Sequence, residues 1–337
     1  MGLLKSNLIT LAGGVSVPTG DPTLKLDLEF SSMSALPASI TFTRSSTASY
    51  FDKDGVMQTA LANAARFDHD PVTLEPLGLL IEETRTNSLL NSAAPVTQNV
   101  TVTAASWTLS FYGTGSVAMS GAYVGTVNGA GAYPARRYMT FTPTAGTLTL
   151  TPTGNVEKFQ LELGKDATSY IPTTSVPVAR AQDVAQMTGV NFSSWFDAIS
   201  AGTINVRGIY NAQAANTSQY SFDIRLDAQN VQALSFYTAV VTYVTGSSVG
   251  VVQPALNLGN KSLGVPINTA WSYSSTQRRG SQNGGAIVSG AYALPTPPVQ
   301  CTFGGAAGNA SGACTLASVK IWNVAKTDAE LIEFTTP

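Results

Sequence analysis

Charge is scarce in this sequence: only 11% of its 337 residues are Asp, Glu, Lys or Arg, and histidine occurs once, at His69. The 18 basic and 20 acidic residues nearly cancel to a net charge of −2. They are also scattered, so the chain lacks the long-range field that draws nucleic acid or an anionic membrane surface, and neither is expected as a partner. A single histidine leaves no credible Ser-His-Asp relay, and no GxxxxGK[ST] stretch is present to cradle a phosphate. No apolar run approaches the roughly 20 residues of a membrane-spanning helix, so insertion in a membrane is not expected. In the opening MGLLKSNLITLAGG, Asn7 and Thr10 interrupt what a secretory leader needs as a continuous apolar stretch. The two cysteines, Cys301 and Cys314, have neither the spacing nor the neighbours of a metal site. No cofactor is expected.

Apolar side chains make up 44% of the chain, enough for real cores, and 30 Gly and 17 Pro accompany many Ser, Thr, Asn and Gln. This mixture favours short strands and turns over long helices, and the length allows two or three units. The fold class predicted is all-β. Residues 24–30 (LKLDLEF) and 40–44 (ITFTR) alternate apolar with polar, as half-buried strands do. Similar runs occur at 107–112, 138–142, 147–151, 202–210 and 220–227. Asn283-Gly284 reads as a type I′ hairpin turn between 271–273 and 286–288. Thr327 and Glu330 form a capping box that starts a short helix over 331–334. Residues 1–23 show no clear period, and are either a disordered tail or an arm that orders on a neighbour.

Residues 65–87, ARFDHDPVTLEPLGLLIEETRTN, gather what charge there is. Asp68, Asp70, Glu75, Glu82 and Glu83 are a quarter of the 20 acids and lie beside Arg66, Arg85 and His69. Such a segment is a site or a docking surface. On an extended chain Asp68 and Asp70 point the same way, roughly 6 to 7 Å apart, which suits a hard cation. The competing and preferred reading is a turn in which Asp side chains bond nearby amides and Pro71 holds Asp70 extended, with His69 structural. The charged edge Glu82-Glu83-Thr84-Arg85 suits pairing with Arg66 or with a neighbouring subunit, and Arg66, Asp68, Asp70, Glu82, Glu83 and Arg85 are the candidate anchoring contacts.

The wording of this segment, together with RSSTASYFDKDG at 44–55, resembles a segment recurring in bacteriophage and prophage virion proteins. FQLELG at 159–164 followed by ATSYIPT at 167–173 is similar to the exit of carbohydrate-binding-module-like jelly rolls in such proteins. VKIWN at 319–323 followed by TDAEL at 327–331 resembles the end of concanavalin-type, laminin-G-like domains. The resemblance implies tandem antiparallel β-sandwiches behind an extended arm: an arm over 1–23, an anchoring β region over 24–92, a small sandwich over 93–183 and a concanavalin-like sandwich over 184–337. It also implies a structural and adhesion protein on the virion surface, a tail fibre, spike or minor tail protein. Its partners would be other virion proteins, further copies of itself, as a trimer, and host-surface glycan whose contact residues the sequence does not reveal. A capsid decoration or cementing protein is the alternative. Reduced, buried thiols at Cys301 and Cys314 suit assembly in a bacterial cytoplasm, though a hairpin disulfide is the other option. A polysaccharide depolymerase is disfavoured, because a retaining glycosidase needs carboxyls about 5 to 5.5 Å apart. The best strand offers Asp223 and Asp227, roughly 13 Å apart by strand rise. No catalysis is expected.

Overall fold

The computed structural model describes residues 8–10, 16–18, 20–197, 200–210, 219–237, 241–293, 297–305 and 313–337. The chain is all-β and builds two sandwiches of unequal size. The larger packs two eight-stranded antiparallel sheets face to face. Sheet I runs Val251–Val252, Val241–Ser248, Asn230–Tyr237, Gln219–Asp227, Gln300–Phe303, Val184–Thr188, Thr41–Thr43, with Leu256–Asn260 also pairing Val241–Ser248. Sheet II runs Val288–Ala291, Gln277–Gln282, Pro266–Tyr273, Gly202–Tyr210, Cys314–Trp322, Pro76–Ile81, Phe67–His69. Leu24–Glu29 completes it by pairing the 318–322 end of Cys314–Trp322, while Pro76–Ile81 takes the 314–316 end.

Alternation explains the inward faces. In Leu24–Glu29 the residues Leu24, Leu26 and Leu28 are buried and the intervening Lys25, Asp27 and Glu29 are not. Leu26 and Leu28, with Phe30, Ile40, Leu79 and Ile81, join Phe222, Trp271, Phe303, Val319 and Ile321 in one continuous core. The first quarter of the chain is therefore part of the last sandwich, and residues 24–92 do not form the separate anchoring region expected from the sequence. Their apolar faces are already covered by strands from beyond residue 184.

The smaller sandwich is inserted between these halves. A four-stranded sheet, Gln98–Val102, Gly146–Thr153, Ser116–Gly121, Gly125–Asn128, faces a three-stranded one, Gly131–Phe141, Trp107–Gly113, Glu157–Leu163. Its own core holds Leu89, Trp107, Leu109, Phe111, Phe141, Leu148, Phe159 and Leu161. The module occupies about residues 88–174, narrower than 93–183 at its exit. The chain enters it through Arg85–Asn87 and leaves through Val178–Arg180, and these two strands pair with each other as a neck.

Further expectations change in detail. Asn283 and Gly284 do adopt positive φ, +48° and +70°, as a type I′ turn requires. The turn follows Gln277–Gln282 and leads to Val288–Ala291, its hairpin partner, whereas Pro266–Tyr273 lies one strand further on. Cys301 and Cys314 are free and buried, and stand on opposite sheets instead of facing each other in one hairpin. Burial pushes the Cys314 thiol up to about 12. The capping box is formed, and the helix it starts runs Asp328–Thr335. Of the N-terminal arm, only Leu8–Thr10 pairing with Ser16–Pro18 and residues from 20 onward are described, and the rest of that expectation lies outside the described residues. Among the described residues no helix is long and apolar enough to cross a membrane.

Candidate functional site

The charged stretch runs along two adjacent strands, Phe67–His69 and Pro76–Ile81, and into the neck. Its inward-facing members meet charges that sequence reading had left elsewhere. Arg66 Nη1 lies 2.7 Å from Glu82 Oε2, and Arg66 Nη2 lies 2.5 Å from Asp183 Oδ2. Arg44 Nη1 reaches the other Asp183 oxygen at 2.9 Å, and Arg180 Nη1 reaches Glu82 Oε2 at 2.9 Å. Ser169 donates to Glu82 from both its backbone N–H, at 2.7 Å, and its hydroxyl, at 2.6 Å. All five charged groups are buried. Burial alone would raise the Glu82 carboxyl, but Arg180 and Arg66 outweigh it and hold it down at about 2. Arg85 is buried too, pairs with Glu83 and donates to the Leu163 carbonyl.

Arg66, Glu82 and Arg85 are thus occupied within their own chain: of the two partners expected for this charged edge, Arg66 is the one Glu82 meets, and the alternative of a neighbouring subunit is corrected for these three. A charge in a low-dielectric interior is tolerated only with partners, so these groups brace the place where the two sandwiches meet. Asp70 is a turn residue, as the sequence led us to expect: its Oδ1 accepts from the backbone N–H groups of Val72 and Thr73, both at 2.8 Å, and those bonds lower its carboxyl. Among the described residues, no group of three or more His, Cys, Asp or Glu could hold a metal ion.

Asp68 and His69 border something else. A cavity of about 270 Å³ opens between the sandwiches, sharing Glu82 and Ser169 with the brace. From the large sandwich it is lined by Tyr50, Phe51, Met57, Asp68, His69, Asp70 and Leu80, and from the small module by Tyr112, Pro134, Arg136 and Tyr170. Tyr112 and Tyr133 approach at 5.4 Å between ring centres, and Lys158 Nζ stands 4.3 Å from the centre of the Tyr133 ring. Burial pushes the Asp68 carboxyl up to about 6, against the opposing pull of the Phe51 N–H it accepts at 2.7 Å and of Arg66. Two nitrogens bordering the cavity, His69 Nδ1 and Arg136 Nε, are buried without a hydrogen-bond partner. The result is an aromatic-walled recess with a carboxyl, an imidazole and a guanidinium at hand, able to hold a small polyhydroxy group by stacking and hydrogen bonds.

Asp223 and Asp227 are not brought together. Asp223 is buried, 2.5 Å from Arg225 Nε, and accepts from the Thr302 hydroxyl. Asp227 is exposed and accepts from the Gln229 and Asn230 N–H groups, both at 2.8 Å, at the end of its strand. Sequence reasoning missed Arg44, Arg180 and Asp183 in the brace, and Tyr50, Tyr112, Arg136 and Tyr170 around the recess. Arg180-Ala181-Gln182-Asp183 carried a signal in its two opposite charges within an uncharged stretch, although its partners lie about a hundred residues away.

No protein-family model matches the chain, and no curated protein sequence does. Solved structures similar to part of it include the CBM40 module of the Ruminococcus gnavus IT-sialidase, 16% identical, with 42% of this chain and 85% of that one covered and a TM-score of 0.36. Domain 4 of AbnA, a GH43 extracellular arabinanase from Geobacillus stearothermophilus, is 13% identical over 51% of this chain and 83% of that one, with a TM-score of 0.36. Trypanosoma rangeli sialidase is 13% identical over 44% of this chain and 25% of that one, with a TM-score of 0.37. No residue of the recess is assigned a role from these likenesses.

Proposed function

We propose that this chain is a glycan-binding structural protein of a tailed-phage virion, and that the recess between its sandwiches receives one sugar-sized group. The observation that carries the glycan reading is the recess itself, where Tyr50, Phe51 and Tyr112 supply aromatic and apolar wall and Asp68, His69 and Arg136 supply polar atoms. At about 270 Å³ it lies just below the usual range for ligand pockets, roughly 300 to 1,000 Å³, which suits the end of a glycan more than a long stretch of chain. The virion reading is supported by RSSTASYFDKDG, FDHDP and GLLIEETRTN, whose order resembles phage and prophage virion proteins. In this reading the protein sits at the particle surface, closes as a trimer as projecting phage fibres do, and holds host glycan without cleaving it.

The test is a screen of the full-length protein against bacterial surface glycans, followed by calorimetry on any hit. The expected outcome is saturable binding that Asp68→Asn and Tyr50→Ala each weaken at least tenfold while circular dichroism stays unchanged. Binding unaffected by both substitutions removes the recess from the reading, and absence of any glycan hit removes the adhesion. Release of reducing ends from a bound polysaccharide would turn the protein into an enzyme. Light scattering that finds only a monomer at micromolar concentration would remove the trimer.

A further inference from the structure

Six arginines are buried among the described residues: Arg44, Arg66, Arg85, Arg180, Arg225 and Arg278. Five of them form an ion pair with Asp183, Glu82, Glu83 or Asp223. Arg278 does not, although the described residues include all 20 acids of the chain. Its Nη2 donates to the Pro254 carbonyl at 2.6 Å, and its guanidinium carbon lies 4.4 Å from the centre of the Tyr292 ring. Nε and Nη1 are buried and donate to nothing, and the Tyr292 hydroxyl and Gln232 Oε1 are likewise buried without partners.

The surroundings belong to both sheets. Arg278 comes from Gln277–Gln282 in sheet II, opposite Gly290. Gly246, directly across the ladder from Gln232, comes from sheet I. A Cβ on Gly246 would stand 3.2 Å from Arg278 Nη1 and 3.5 Å from the Tyr292 ring, so glycine here leaves room for the guanidinium. Pro254, whose carbonyl accepts from Nη2, is itself exposed, which leaves the guanidinium one residue below the surface.

An isolated cation in a protein interior costs several kcal/mol, and this chain meets that cost at its other buried arginines with carboxylates. We propose that Arg278 is the centre of a binding site for an oxyanion from outside the chain, a carboxylate or inorganic oxyanion, with the Tyr292 hydroxyl as a second donor. The two free guanidinium nitrogens supply N–H groups, and the ring face of Tyr292 fixes the plane of the guanidinium. Burial without a counter-charge also lowers the Arg278 guanidinium to about 10, still protonated at neutral pH, so the unmet positive charge persists in the unliganded protein. The site is separate from the recess between the sandwiches and does not rest on the glycan reading.

The experiment follows the arginine Nε–H resonances of the full-length protein while sodium glucuronate, sodium sulfate or glucose is added, with sodium chloride holding ionic strength constant. A saturable shift of the Arg278 resonance with glucuronate or sulfate, and none with glucose, is expected. A response to glucuronate alone identifies a sugar acid as the ligand class, and a response to sulfate alone identifies an inorganic oxyanion. Arg278→Leu should abolish the binding measured by calorimetry and raise the melting temperature of the unliganded protein, because a lone buried charge is removed. Tyr292→Phe, which leaves the charge in place, should weaken binding severalfold and serves if the leucine variant does not fold. Absence of a saturable response to both anions in the wild-type protein overturns the proposal, as does binding unchanged in Arg278→Leu.

Discussion

The two sandwiches are assembled differently from the same chain. The small module is continuous: its strands and its core all fall within about residues 88–174. The large one is discontinuous, taking Leu24–Glu29, Thr41–Thr43, Phe67–His69 and Pro76–Ile81 from before the module and the rest from after it. A continuous unit satisfies its own apolar faces. A discontinuous one depends on strands whose partners lie up to about three hundred residues away, as when Leu24 pairs with Trp322.

Deleting residues 1–92 is the most severe way to exploit that dependence. The remaining chain would lose four strands of the large sandwich and expose the faces that Leu26, Leu28, Phe30, Leu79 and Ile81 now cover. We expect the truncated protein to be insoluble or unfolded in that half by circular dichroism and calorimetry. A piece of residues 88–174, by contrast, should fold alone and show one cooperative melt. Failure of that piece to fold would show that the small module needs its host.

At the junction, Arg66→Met should cost about 3 to 5 kcal/mol by denaturant titration, since it leaves Glu82 and Asp183 short of a buried partner. The pH dependence should show the same junction more gently. Glu82 titrates at about 2 in the folded chain against an ordinary 4.5, so its contribution is fully present above about pH 4.5 and is lost as pH falls towards 2. Asp68 works in the opposite sense. Raised to about 6, it takes up its proton earlier in the folded state, so its contribution to stability grows as pH falls from about 6 to 4. Stability measured from pH 7 to 2 should therefore hold or rise slightly before it drops, and Glu82→Gln should make the drop shallower. The smallest effect belongs to the end of the chain, where Thr327→Ala should remove about 1 kcal/mol by losing the helix cap.

Much of the fold was legible because short-range signals suffice for it. Leu24–Glu29 alternates cleanly, Asn283-Gly284 accepts positive φ, and Thr327 with Glu330 marks a helix start. What the sequence hides is partnership at a distance. Nothing local says that Asp183 meets Arg44 and Arg66, or that Leu80 lies across from Thr315. Gln277–Gln282 also escaped because its inward positions are Arg278, Gly280 and Gln282, none of which carries the apolar signal of a strand. The candidate site was half visible: Asp68 and His69 stood out by their charge, while the aromatic residues opposite them come from a different module.

The neck has a mechanical consequence. Arg85–Asn87 leads back to Pro76–Ile81 in sheet II, and Val178–Arg180 leads on to Val184–Thr188 in sheet I. A pull on the small module therefore divides between the two sheets. Each receives it along an interior strand with hydrogen-bonded neighbours on both sides. Tension directed along such a strand strains many of its hydrogen bonds together instead of peeling them one by one, so the joint should yield slowly under load, with its lifetime set by the unfolding rate.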